Sequence, residues 1–147
     1  MTLPFSTKWG KNMGDLAGKP NYFIQKIWEG FTQHQVDYYW LEHKKKFGYH
    51  WDENLLSVEP KLHTIRLDPH DRWKAGMKIH PVINNRTKNR FQFAPVIECV
   101  SVQSIEITKS KLLEYGYAAK IPLVYIDDVL LESDDLDKLA INDGFPT

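Results

Sequence analysis

Lys61-Leu62-His63-Thr64-Ile65-Arg66 follows Pro60 and opens the most basic stretch of this 147-residue chain. The alternation of the run predicts a strand over residues 63–67. It also sets a lysine, a threonine hydroxyl and an arginine close together. A glutamate, Glu98, lies in a second strand-like run, Pro95-Val96-Ile97-Glu98-Cys99-Val100. Polar groups among β-branched residues in two strands suggest a lined pocket. Residues three apart on a regular strand face opposite sides. Lys61 and Thr64 therefore meet only if the chain bends near Leu62 or if Lys61 lies in the loop before the strand, and Pro60 favours the second. The plain structural reading makes Thr64 an ordinary β-former and Arg66 with Glu98 a cross-strand ion pair.

The length fits one domain over residues 1–147 with a real core. Aromatics make up 13% of the chain, enough for a rigid aromatic core or a stacking surface. No apolar run approaches a membrane span, and none follows Met1 as a secretory signal would. Cys99 is the single cysteine, so no intrachain disulfide forms and a reducing cytoplasm is expected. In its apolar setting Cys99 reads as a small buried hydrophobe. The net charge of zero argues against a general polyanion binder. Its distribution is uneven, however. Residues 61–90 carry eight Lys/Arg against Asp68 and Asp71, and residues 127–143 carry seven Asp/Glu against Lys138. Either the first segment forms a basic face for phosphates, or the two segments neutralise each other in the fold.

Residues 1–20 show little periodicity and are expected to form an irregular arm. Ile24, Ile27, Trp28 and Phe31 then recur at helical spacing, with Asn21 as N-cap and Gly30 as a break. A second helix is expected over residues 33–47. Lys44, Lys45 and Lys46 suit its negative end, and Gly48 suits its C-terminal stop. These helices form a hairpin over residues 21–48, followed by a loop to Pro60. Residues 68–71 read as a turn, and residues 77–83 as a strand that Pro81 confines to an edge or a bulge. Residues 84–89 form a polar hairpin loop. Residues 90–107 suit one bent strand or two, broken at Pro95. A helical or irregular section over residues 109–119 precedes a strand at 123–126. Ser133 is expected to cap a short helix over residues 134–141, with Gly144 just beyond. The order predicts an α+β fold, best drawn as a small, partly closed β-barrel with peripheral helices and an inserted N-terminal helical hairpin.

The run from Lys61 to Arg66, the segment Arg72-Trp73-Lys74-Ala75-Gly76-Met77-Lys78-Ile79 and the Glu98 strand together resemble the ASCH family of PUA-like β-barrels. The Gly76 turn is like the family's step into its second barrel strand, with Met77 where an Asp is common. The segment from Val82 to Pro95 looks like a bacterial or phage-type subgroup. The resemblance covers residues 60–144 as the barrel core. It implies an RNA or nucleotide-like ligand in a cleft beside the barrel, without a cofactor. Some small bacterial members act as amidohydrolases on N4-acetylcytidine, and their Lys, Thr and Glu correspond to Lys61, Thr64 and Glu98. On that reading Thr64 is the nucleophile, Lys61 activates it, Glu98 assists proton transfer, and Arg66 positions substrate or holds Glu98. Such members continue past the Asp143-Gly144-Phe145 run into another helix and strand. Either this chain is naturally short, or it is a fragment with an open barrel edge, where a second copy could pair as a homodimer.

Three functions follow as expectations: a module binding RNA or a nucleotide-like ligand, an amidohydrolase of N-acylated nucleosides, and a protein-interaction module whose cleft is vestigial. For the first, Lys61, Thr64, Arg66 and Glu98 would line the cleft, the basic arm of Arg86, Lys88 and Arg90 would meet phosphates, and Trp73, Phe91 or Phe93 would stack a base. For the second, Lys61 must be neutral to act as base, which needs burial or a cationic neighbour. His63, His70 and His80 are too scattered for metal ligation, and no second cysteine supports zinc.

Overall fold

The computed structural model describes residues 1–49, 59–114 and 117–146, which form an α+β fold of three helices and two sheets. Neither sheet closes into a barrel among the described residues. The first sheet is built on β2, Lys78–Ile83. Strand β1, Thr2–Pro4, lies parallel to it with Leu3 opposite Pro81. On the other side two short antiparallel strands, β3 (Phe91–Gln92) and β4 (Ile97–Glu98), share β2 end to end. The expected edge position for Pro81 is thus corrected, since β2 is central. The expected bulge is present. Residues 93–96 leave the ladder opposite Pro81, the one β2 residue with no N–H to offer, while its carbonyl accepts from Phe93 N (3.3 Å).

The second sheet is an antiparallel meander of β5 (Ile105–Glu114), β6 (Tyr117–Ile126) and β7 (Val129–Leu130). Residues 109–114 and 117–119 are therefore strand, not the helical or irregular section that their Lys, Leu and Ala content suggested. Cross-strand pairing overrides that composition. The two residues between the strands, and the expected loop over 50–58, lie outside the described residues. Asp127 ties the open end of this sheet. Its carboxylate accepts from Ser104 N (2.8 Å), Ser104 Oγ (3.2 Å) and Gln103 Nε2 (3.0 Å). The backbone donor of Ser104 is the main reason that its pKa is lowered. Asp68 is lowered too, chiefly by the backbone N–H of Trp73. A carboxylate with a depressed folded pKa stabilises above its unfolded pKa of about 3.9, and the contribution is lost as pH falls through the folded value. Urea midpoints are thus expected to hold steady above about pH 5 and to drop below about pH 4. Asp127→Asn should lower the midpoint at neutral pH and shrink the acid drop. An unchanged acid drop in that variant would show that the charge on Asp127 contributes nothing.

Helix α1, Phe23–Trp28, is a short piece that buries Ile24 and Trp28 in the core. Asn21 stands one position ahead of the N-cap, which is Tyr22 in a left-handed conformation (φ 56°). Asn21 still accepts from Phe23 N (3.2 Å), and it ties the arm through Ser6 O (3.0 Å). Helix α2, Gln33–Phe47, starts at a capping box of Thr32 with Gln35 and stops at Gly48, whose φ of 82° suits glycine. Its Val36, Tyr39 and Trp40 pack against the core, so the aromatic face of the hairpin is largely used inside the fold. Helix α3, Ser133–Asn142, has Glu132 as N-cap without a side-chain hydrogen bond, in place of the expected Ser133 cap. At its other end Gly144 N bonds to Ile141 O (2.8 Å) and Phe145 N to Ala140 O (3.0 Å), with Gly144 at φ 96°. This is a Schellman stop. The core joins Phe5, Phe93, Trp28, Ile79 and Cys99 between the first sheet and the helices.

Candidate functional site

Residues 59–68 form no strand. The expected strand over 63–67 is corrected: Leu62 and Leu67 are 67% and 89% exposed, and the backbone donors serve the end of α3 instead of a ladder. Leu62 N donates to Asn142 O (3.0 Å), and Ile65 N to Asp143 Oδ1 (3.2 Å). His63 Nε2 meets Leu139 O (3.2 Å), which requires the proton on that nitrogen. Three cations gather around the same helix end. Lys61 Nζ donates to Asp143 Oδ1 (2.6 Å) and to the Asp143 carbonyl, and it stands 4.8 Å from the centre of the Phe23 ring. Lys26 Nζ donates to Gly144 O (2.8 Å). Arg66 completes the group, and the Asp143 charge acts on its guanidinium as well.

Burial is the largest influence on the Lys61 ammonium and lowers its pKa; the hydrogen bond and charge of Asp143 raise it again, and Arg66 and Lys26 lower it. The side chain of Lys61 is 3% exposed, and it is spent on the carbonyl and the carboxylate of Asp143. Thr64 Oγ1 instead accepts from Arg66 Nε (3.2 Å). Glu98 is exposed on β4 directly opposite Lys78. Arg66 bonds to Pro4 O, and Pro4 is opposite Val82 on β2. Lys78 and Val82 are four residues apart, so Glu98 stands about 13 Å along the strand from that point. The structure does not bring Lys61, Thr64 and Glu98 to one place, and among the described residues Glu98 makes no ion pair with Arg66 or any other cation.

What the structure does bring together is a shallow open groove of about 540 Å³. Its walls are Pro4 to Lys8, Arg66, and Asn84 with Asn85. The guanidinium of Arg66 is fixed on three sides: Nη2 donates to Pro4 O (2.6 Å), Nε to Thr64 Oγ1, and the plane lies 5.2 Å from the Phe5 ring centre. Partial desolvation of the guanidinium there lowers its pKa from the ordinary value, with Asp143 opposing; the residue as a whole stays exposed, and it remains a cation. Asn84 and Asn85 begin the 84–90 loop, which carries Arg86, Lys88 and Arg90, all exposed. That loop is braced from within. Thr87 Oγ1 donates to Asn84 O (2.8 Å), Asn84 Nδ2 to Asn89 O (3.3 Å), and Asn89 N to Thr87 Oγ1 (3.1 Å).

The expected stacking residues lie elsewhere. Phe91 and Phe93 are buried at 9% and 0% exposure, and Trp73 packs against the core. The basic and acidic segments do meet, at Lys61 and Asp143, while the 86–90 cations remain in solvent. Lys8, Lys26 and Asp143 were not among the residues expected from the sequence. Only Asp143 carried a signal: a carboxylate at the negative end of a helix is misplaced unless a cation meets it. Among the described residues no three His, Cys, Asp or Glu side chains gather as a metal site, and no helix is long and apolar enough to cross a membrane. Comparison with protein-family models, with curated proteins and with solved structures returned no match.

Proposed function

We propose that this chain is an ASCH-like, PUA-related module that binds the phosphate backbone of single-stranded RNA or a nucleotide-like ligand along the Arg66 groove. The observation that carries the reading is Arg66 itself. Its guanidinium is held in place by Pro4 O, Thr64 Oγ1 and Phe5, beside Lys8 and the amides of Asn84 and Asn85. A preorganised guanidinium loses little freedom on meeting a phosphate and offers paired donors to it. Arg86, Lys88 and Arg90 extend the positive surface from the same loop, at every second residue. The hydrolase reading has less support, because its nucleophile, base and acid have no common site and Lys61 is engaged by Asp143.

The test is fluorescence anisotropy of a labelled oligouridylate between about 50 and about 200 mM salt. Four cations on phosphates are expected to give a log–log slope of roughly −3. Arg66→Ala should weaken binding about tenfold and make the slope shallower by about one. Because Arg66 also holds the N-terminal strand, a triple Ala variant at 86, 88 and 90 serves as the second arm and should remove most of the salt dependence. Folded protein that shows no salt-dependent binding would overturn the reading.

A further inference from the structure

Beside the end of α3, at Gly144, lies a second, more enclosed pocket of about 300 Å³. It shares no residue with the groove. Trp9, Leu16, Pro20, Tyr22 and Pro146 form apolar walls, and Lys26 with Gly144 supplies the polar end. Trp9 is set by two ring contacts, edge-on to Phe23 (5.1 Å) and tilted on Phe145 (5.0 Å). Asn21, which also lines the pocket, is occupied by Ser6 and the Phe23 N–H.

Lys26 is the unusual member. It is 8% exposed, and its ammonium donates to Gly144 O (2.8 Å). An ammonium has three donors, and among the described residues none of the ion pairs includes Lys26. Asp143, the carboxylate close by, is engaged by Lys61. Glu59 acts on Lys26 only as a charge at longer range, and burial outweighs it, so the ammonium pKa is lowered. A buried cation next to apolar walls, with no carboxylate of its own, is a recognition element for an anion that brings an apolar body. Lys19 adds a second, exposed cation at the rim. The size sits at the lower end of the roughly 300–1,000 Å³ of small-molecule sites.

We propose that this pocket is a binding site for a small organic carboxylate with a flat apolar body, the carboxylate meeting Lys26 and the ring lying against Trp9. Nucleic acid is excluded as occupant by the apolar walls and the size. The site works independently of the phosphate groove.

The probe is benzoate, with benzamide as the neutral analogue of the same shape. Binding is read from the indole N–H resonance of Trp9 in the nitrogen-15-labelled full chain, assigned with a Trp9→Phe variant. Benzoate is expected to shift that resonance saturably, with a dissociation constant of about 1 mM or tighter, and benzamide to bind at least about tenfold more weakly. Lys26→Met should remove the preference for benzoate. If Lys26→Met does not fold, Leu16→Trp fills the pocket with Lys26 intact and should abolish the shift. Equal binding of benzoate and benzamide, no saturable shift in wild type, or an unchanged shift in Leu16→Trp would each overturn the assignment. Benzoate is also expected to leave oligouridylate affinity unchanged at constant ionic strength; competition between them would overturn the independence of the two sites.

Discussion

Asp143→Ala is expected to destabilise the protein by about 3–5 kcal/mol, the cost of leaving a buried charge without its partner. Lys61 and Asp143 have side-chain exposures of 3% and 16%, and that carboxylate also receives Ile65 N. Once it is gone, the Lys61 ammonium remains buried with Lys26 and Arg66 as its charged neighbours. Removing the cation instead is milder, so Lys61→Met should cost less, and adding Asp143→Leu to it should cost less than Asp143→Ala alone. The pH dependence has a definite sign. Burial already lowers the Lys61 pKa, and Asp143 opposes that shift. Without Asp143 the folded pKa falls further. A lysine with a depressed folded pKa favours the native state above its unfolded pKa and loses that contribution as pH falls through the folded value. The deficit of Asp143→Ala should therefore shrink as pH rises toward about 10. Urea titrations at several pH values check both points. A variant within about 1 kcal/mol of wild type would show that the pair does not hold the helix end. The same series separates a structural Lys61 from a catalytic one, which would lose turnover without losing stability.

Phe93→Ala is expected to cost about 3–5 kcal/mol as well, by a different mechanism. Phe93 is 0% exposed and meets the Phe5 ring edge-on at 5.7 Å. Its backbone is committed too: its carbonyl accepts from Trp28 Nε1 (2.7 Å), and its N–H donates to Pro81 O. Those bonds fix the bulge, so the chain cannot collapse readily into the space left by the ring. Phe5 also carries the Arg66 guanidinium, and the loss should extend to RNA affinity through a loosened groove. Leu67→Ala, at an 89% exposed position, is the control and should leave the unfolding midpoint unchanged. A Phe93→Ala midpoint equal to that of the control would contradict the packing described.

Elements whose instructions are local were legible in the sequence. Helix α2 has its span fixed by apolar spacing, three terminal lysines and Gly48, and the structure gives Gln33–Phe47. The stop at Gly144 and the break at Pro95 were legible for the same reason. Elements defined by a distant partner were not. Strand β1 is three residues long, too short for a period, and is a strand only because β2 accepts it. The alternation of residues 63–67 was real, but alternation reports which atoms differ, not what they meet. Their partner proved to be a helix end some eighty positions away. The candidate site divided similarly. Arg66 and the basic loop could be picked out as cations, whereas the spending of Lys61 on Asp143 depends on a contact that no spacing encodes. The glycine at position 144 shows how tight that contact is: a Cβ there would come within 2.8 Å of the Phe23 ring and 3.3 Å of Lys61 Cδ.

The parallel pairing of β1 with β2 has a consequence for the order of events on the ribosome. Leu3 cannot find Pro81 until the intervening chain has been made, and at about 5–20 residues per second that delay is roughly 4–16 s. Through that interval Leu3 and Phe5, both destined for the core, lack the partners that bury them. The other closing contacts, Trp9 on Phe145 and Lys26 on Gly144, wait for residues 144 and 145. Residues 3 to 9 and Lys26 are thus made well before the partners that shelter them.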